Sequence, residues 1–249
     1  MADPLRPPPA DLLHGSALFL DFDGTLVELA ESPDAIRVPA ALAGLLRVLT
    51  ERLKGRVAIV SGRSLADLER YLRGVDVAMS GSHGLELRFD AGTTAPLEVP
   101  EGLNEARVRL HEFAAASTGL LVEEKPASVA LHFRQNPGME AAAGAFAAEV
   151  ARETGLSVQP GKMVLELRPA GADKGDALRR IMAEPVFAAA RPLFVGDDLT
   201  DEHAFAAAAE LGGGGILVGP PRTTAARWRL DDVAATAAWL TQAAEAGRG

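Results

Sequence analysis

The chain has 249 residues, enough for one large α/β domain or a core carrying a smaller inserted unit. With 48% hydrophobic and 24% charged residues it has the make-up of a globular protein, which excludes a disordered or collagen-like chain. The absence of cysteine removes disulfides, thiolate nucleophiles, zinc fingers and iron–sulfur clusters, and a net charge of −9 without a Lys/Arg run argues against a nucleic-acid partner.

The stretch Met1–Pro9 is proline-rich and lacks the apolar core of a signal peptide. No uncharged apolar run approaches the ~18–20 residues that span a bilayer, so the expectation is a soluble cytoplasmic protein with no membrane partner. Ala17–Leu20 is a continuous apolar run ending at Asp21, as in a strand buried on both faces. A helical pattern over Pro39–Leu53, a buried strand Val57–Val60, a serine-capped helix Ser64–Leu72 and a strand Val75–Met79 complete a βαβαβ series. Such a series predicts a doubly wound, mainly parallel, Rossmann-like α/β sheet.

Between about Leu103 and Pro169 the pattern changes. Helical stretches Leu103–Ser117 and Met139–Thr154 are interleaved with strands that alternate, Ser128–Arg134 and Lys162–Arg168. Each has one apolar and one charged face, which predicts an inserted α+β cap with a polar side available to a ligand. The core pattern then resumes: helix Lys174–Ala183, strand Leu193–Val195, helix Thr200–Ala209, a flexible Gly212–Gly215 connection, strand Ile216–Val218 and a final helix Asp231–Ala244. The expected division is core 1–101, cap 102–170 and core 171–249.

The chemistry sits where strands end. Asp21-Phe22-Asp23-Gly24-Thr25-Leu26 puts two carboxylates at the C-terminal end of the first strand, where open α/β sheets bind ligands. Asp-Gly alone makes an ordinary turn. The whole hexapeptide behind an apolar strand points instead to one acid as nucleophile or metal ligand and the other as acid/base. Ser61-Gly62-Arg63 ends the second strand and suits a phosphate, although taken alone the tripeptide is better explained by a serine turn before a helix. In Gly196-Asp197-Asp198-Leu199-Thr200-Asp201-Glu202 four acids crowd into six positions. The helix dipole accounts for Asp201 and Glu202, not for the pair on the strand side, and a hard divalent ion such as Mg²⁺ relieves the repulsion. Lys174 opens a helix capped by Asp173, where the dipole disfavours a cation; it either meets an anionic partner or stays in solvent.

Taken in order, Asp21-x-Asp23-Gly24-Thr25, Ser61, Lys174 and Gly196-Asp197-Asp198-x-x-Asp201 resemble the four motifs of the haloacid-dehalogenase-like (HAD) phosphohydrolases, with an insertion similar to their C2-type cap. Gly81-Ser82-His83-Gly84-Leu85-Glu86, Val122-Glu123-Glu124-Lys125, Leu131-His132-Phe133-Arg134, Gly161-Lys162 and Glu166-Leu167-Arg168-Pro169 resemble, more narrowly, the trehalose-6-phosphate phosphatases. The resemblance implies that Asp21 attacks phosphorus to form an aspartyl-phosphate, and that Asp23 protonates the leaving sugar oxygen and then activates water. It implies Mg²⁺ held by Asp21, the Asp23 carbonyl and Asp197, with Asp198 or Asp201 acting directly or through water. Ser61 and Lys174 would hold the phosphoryl group, and Gly24, Thr25, Gly62, Arg63 and His83 are further candidates for substrate contact.

In the cap, Glu123, Lys125, His132, Arg134, Glu166 and Arg168 offer the mixture of donors and acceptors that a disaccharide needs; the alternative is the solvated side of a half-buried sheet. Proline and glycine near Val99–Gly102 and Pro169–Asp173 suit hinges. The implied activity is Mg²⁺-dependent hydrolysis of trehalose 6-phosphate, with a small sugar phosphate as partner. Another sugar phosphate, such as sucrose or mannosylglycerate phosphate, and a non-catalytic sugar-phosphate sensor stay open, as does association with a synthase that makes the substrate.

Overall fold

The apolar runs become strands of a single sheet. In a computed structural model, described for all residues except 1–4, 10, 31–35, 91, 92, 96, 98, 162, 172 and 246–249, six strands run parallel. Numbered along the chain, they are β1 (Ser16–Leu20), β2 (Val57–Val60), β3 (Ala78–Gly81), β9 (Arg191–Gly196), β10 (Gly214–Val218) and β11 (Trp228–Leu230). Their order is β11-β10-β9-β1-β2-β3, and β4 (Glu86–Arg88) adds antiparallel to the β3 edge. Helices cover both faces, which is why β1 is buried along its whole length. On one side Leu18 and Leu20 pack with Leu42, Leu46 and Leu49 of α1 (Ala40–Arg52), Leu68 of α2 (Leu65–Tyr71) and Leu240 of α7 (Val233–Glu245). On the other, Ala17 and Phe19 pack with Leu178 and Ile181 of α5 (Lys174–Met182) and Phe205 of α6 (Glu202–Glu210).

Three expectations for this part change. The third strand begins at Ala78 rather than Val75; Val75 and Val77 are still buried, but in the approach to the strand. The two short strands β4 and β11 have no apolar run to announce them. The Gly212–Gly215 stretch is not a flexible connection, since Gly214 and Gly215 are buried residues of β10. A side chain on Gly215 would collide with the Phe205 ring, and one on Gly213 with the Pro192 carbonyl, so these glycines permit close packing.

By compactness the chain divides into Met1–Ala95 with Ala172–Gly249, and Pro96–Gly171, where an insertion at 102–170 was expected. The second unit holds an antiparallel sheet in the order β5-β6-β8-β7, formed by β5 (Leu121–Glu124), β6 (Val129–His132), β7 (Leu156–Gly161) and β8 (Val164–Pro169). One face, with Val129, Leu131 and Leu167, packs on Leu103, Ala106 and Leu110 of α3 (Leu103–Ala115) and on Ala143, Ala147 and Val150 of α4 (Glu140–Thr154). The register sets Glu123 opposite Ala130, Ala130 opposite Glu166 and Glu166 opposite Gln159, so these positions share the other face. Arg134 does not lie on it: β6 stops at His132, the chain turns, and Arg134 is exposed. Lys162 lies outside the described residues. Among the described residues no helix is long and apolar enough to cross a membrane.

Candidate active site

Parallel strands deliver their loops to one end of the sheet, and those loops carry the charges. β1 runs into Asp21, whose N–H donates to the Val195 carbonyl of β9 at 2.9 Å and ties the two strand ends together. The chain then folds back: Leu26 and Val27 donate to the Phe22 carbonyl, and Gly24 donates to the Val27 carbonyl. Gly24 has φ of 76°, and a side chain there would collide with the Asp197 carboxylate, so no other residue fits the turn.

This turn sends the two acids to different partners. Asp21 is 4% exposed and lies 2.8 Å from Nζ of Lys174, which is 3% exposed and also donates at 2.6 Å to the fully buried Asp201. Oxygens of Asp21, Asp197 and Asp201 all lie within 4.8 Å of one another. Thr25 Oγ1 donates to Asp197 at 3.4 Å. Asp23 is gripped by Arg63 in a two-nitrogen pair, Nε at 2.6 Å and Nη2 at 2.7 Å. The Arg63 guanidinium lies 5.9 Å from the Phe22 ring centre and 5.3 Å from that of Tyr71.

Burial pushes the Asp21 carboxyl well above its usual range; Lys174 opposes this, while Asp201 and Asp197 reinforce it. Asp197 is pushed up to about 6, by burial and then by the charge of Asp201. Burial alone would depress the Lys174 ammonium, but Asp21 and Asp201 outweigh it and its pKa is raised. One ammonium therefore does not satisfy three converging carboxylates. That shortage of positive charge, with an all-oxygen donor set, fits a hard metal cation held by Asp21, Asp197 and Asp201.

The acids after β9 divide. Asp198 is exposed and accepts from its neighbour Leu199 N at 2.5 Å, while Asp201 accepts from Asp198 N at 2.9 Å, a reciprocal cap on the turn. The Asp198 carboxylate is not among those that converge; Asp201 is. Ser61 is buried at the end of β2, bonded through its N–H to Ser80 O at 2.9 Å, and its Oγ accepts from Arg63 N at 3.1 Å. Gly62 lies against the His83 ring, where a side chain would collide. Ser82 and His83 are both left-handed, with φ of 49° and 54°, and His83 N–H donates to Ser61 O at 3.0 Å. Ser61, Gly62, Arg63 and His83 thus form one knot behind β2 and β3.

In the second unit the polar residues pair with one another. Glu123 meets His132 at 2.8 Å, and Glu166 accepts from Ser128 Oγ at 2.5 Å and Lys125 Nζ at 3.1 Å. Arg168 is buried and shares their sheet face with Ser157. Ser128, Ser157 and Gln159 belong to this face yet stand outside the expected set; extending the period-2 alternation to both flanking strands would have found them. Arg222 was also missed. It comes 20 residues after Glu202, which it pairs with, and it donates to the Asp198 carbonyl at 2.8 Å.

A family model described as trehalose-phosphatase matches residues 19–234. A probable trehalose-phosphate phosphatase of Sinorhizobium fredii is 38% identical over 211 residues, covering 84% of this chain and 80% of its own. The trehalose-6-phosphate phosphatase of Escherichia coli is 36% identical over 242 residues, covering 96% of this chain and 90% of its own. In fold, the chain is similar to the C-terminal domain of the C. albicans trehalose-6-phosphate phosphatase, with a TM-score of 0.78, 24% identity and coverage of 97% and 98% of the two chains. With the strand-end acids and the buried lysine in place, this chain belongs to the trehalose-phosphatase family.

Proposed function

We propose that the chain hydrolyses trehalose 6-phosphate to trehalose and inorganic phosphate, with Mg²⁺ as the cation at Asp21, Asp197 and Asp201. The observation that carries this reading is the contact of Asp21 with Lys174 beside two further carboxylates. In this reading an Asp21 oxygen attacks phosphorus, and the bond from phosphorus to the sugar oxygen breaks. Asp23 gives that oxygen its proton, then takes one from the water that attacks the aspartyl-phosphate and frees Asp21. Lys174 holds Asp21 in place and balances charge on the transferring group, to which the Ser61 hydroxyl donates a hydrogen bond. Arg63 holds the ionised Asp23 carboxylate at the turn through both oxygens, so in this reading the pair opens when substrate binds and Asp23 takes up the proton it then donates. When bound, the cation supplies charge neutralisation for the phosphoryl oxygens and keeps the carboxylates ionised.

Sugar recognition is assigned to Glu123, Lys125, His132, Glu166 and Arg168, whose donors and acceptors suit hydroxyl groups. The test is phosphate release from a panel containing trehalose 6-phosphate, sucrose phosphate, mannosylglycerate phosphate and glucose 6-phosphate. A clear preference for the first supports the assignment. Equal rates on all four leave a phosphatase without this specificity, and binding without release identifies a sensor.

A further inference from the structure

The geometry points to Arg222 as a positioning residue that latches the Asp197–Asp201 loop in the shape that brings its carboxylates together. Arg222 lies in the loop after β10, in Gly219-Pro220-Pro221-Arg222-Thr223-Thr224, away from every motif the reaction uses. Its Nη2 donates to the carbonyl of Asp198 at 2.8 Å and reaches that of Asp197 at 3.4 Å. Its Nη1 pairs with the Glu202 carboxylate. Glu202 is itself held from the same loop, accepting from Ala225 N at 2.7 Å and Thr224 Oγ1 at 3.1 Å. One guanidinium and one carboxylate thus clamp the acid loop to the 222–225 segment through five hydrogen bonds.

The consequence follows from how a backbone aims its side chains. The peptide carbonyls of Asp197 and Asp198 are turned toward Arg222, and with the peptide planes held, the Cα–Cβ bond of Asp197 is aimed so that its carboxylate reaches Asp21 and Asp201. Arg222 also offsets the charge of Glu202, which without it would add a fourth acid to the loop's mutual repulsion. Arginine suits this task because its fork reaches two carbonyls and a carboxylate at once, which a lysine ammonium on a thinner stem does not reproduce. Arg222 touches none of the proposed reacting atoms.

This inference rests on the metal reading of the acidic triad, and the experiment separates the two. Thermal melts with increasing Mg²⁺ give the midpoint of the cation-dependent rise in Tm for wild type, Arg222→Ala and Arg222→Lys, and phosphate release gives kcat and KM at saturating Mg²⁺. The expected result is a midpoint raised about 10–100-fold in Arg222→Ala, the usual cost of losing a group that orients ligands. KM for substrate at saturating Mg²⁺ should stay within about threefold, and Arg222→Lys should recover part of the midpoint. A lowered Tm in Arg222→Ala with an unchanged Mg²⁺ midpoint would overturn the latch. If Arg222→Ala does not fold, a wild-type midpoint in Arg222→Lys would overturn it equally. No Mg²⁺ response in wild type would instead defeat the metal reading.

Discussion

The two units handle charge in opposite ways. In the core unit Lys174, Asp21 and Asp201 are sealed from solvent and bonded within 2.8 Å, so each group's state depends on its neighbours. In the inserted unit His132 is about one-third exposed and Glu123 about half, so water and salt screen their pair. Buried charge buys fixed geometry and perturbed proton affinity, which bond breaking needs. Half-exposed charge stays adjustable, which would suit the proposed exchange of these pairs for the hydroxyls of a sugar.

The comparison is broken most decisively at Asp21. Asp21→Asn keeps the shape and removes the proposed nucleophile, so phosphate release should fall by more than about 10⁴-fold while far-UV circular dichroism is unchanged. Residual activity near wild type in a folded variant would remove Asp21 from the chemistry. Next comes Gly24→Ala, which drives a methyl group into the Asp197 carboxylate and should weaken Mg²⁺ binding by about 10–100-fold in calorimetry.

A proton and a cation compete for Asp197. Its carboxyl, pushed up to about 6, is ionised above that pH and takes up a proton below it, so the sign is fixed. Mg²⁺ affinity should drop at least about tenfold between pH 7 and pH 5, since the raised Asp21 carboxyl acts in the same direction, measured by titration at each pH. Affinity that rises on acidification would contradict the arrangement. Smallest is the exposed pair: Glu123→Gln should change stability by less than about 1 kcal/mol in denaturant melts, and its effect on hydrolysis should lie in KM rather than kcat.

The sequence disclosed those parts of the molecule in which a side-chain pattern coincides with a strand end. Asp21 and Asp197 close continuous apolar runs, and both strands sit side by side in the sheet, so the acids' approach follows from topology. Lys174 stood out because a cation at a helix start lacks local support. Arg222 was hidden because three of its four partners are backbone carbonyls, which carry no residue-type signature, and because its loop reads as proline-rich connection. The Gly212–Gly215 stretch misled in the other direction. Lack of side chains suggests freedom in a sequence, whereas against Phe205 and Pro192 it is what lets β10 enter the sheet. For Asp198 and Asp201, the resemblance left both open as ligands, and only the reciprocal cap on their turn separates the exposed acid from the buried one.

The lone lysine among the converging acids also sets an arithmetic of valence. Three carboxylates against one ammonium leave two negative charges when all are ionised, which a doubly charged ion cancels. On this count the proposed divalent ion matches the cradle's charge, where a potassium ion would leave it anionic and a trivalent ion would overshoot. With such an ion bound and all three acids ionised, the proposed phosphate ester would meet an electroneutral enclosure, and the screened acidity of the rest of the protein would oppose it little.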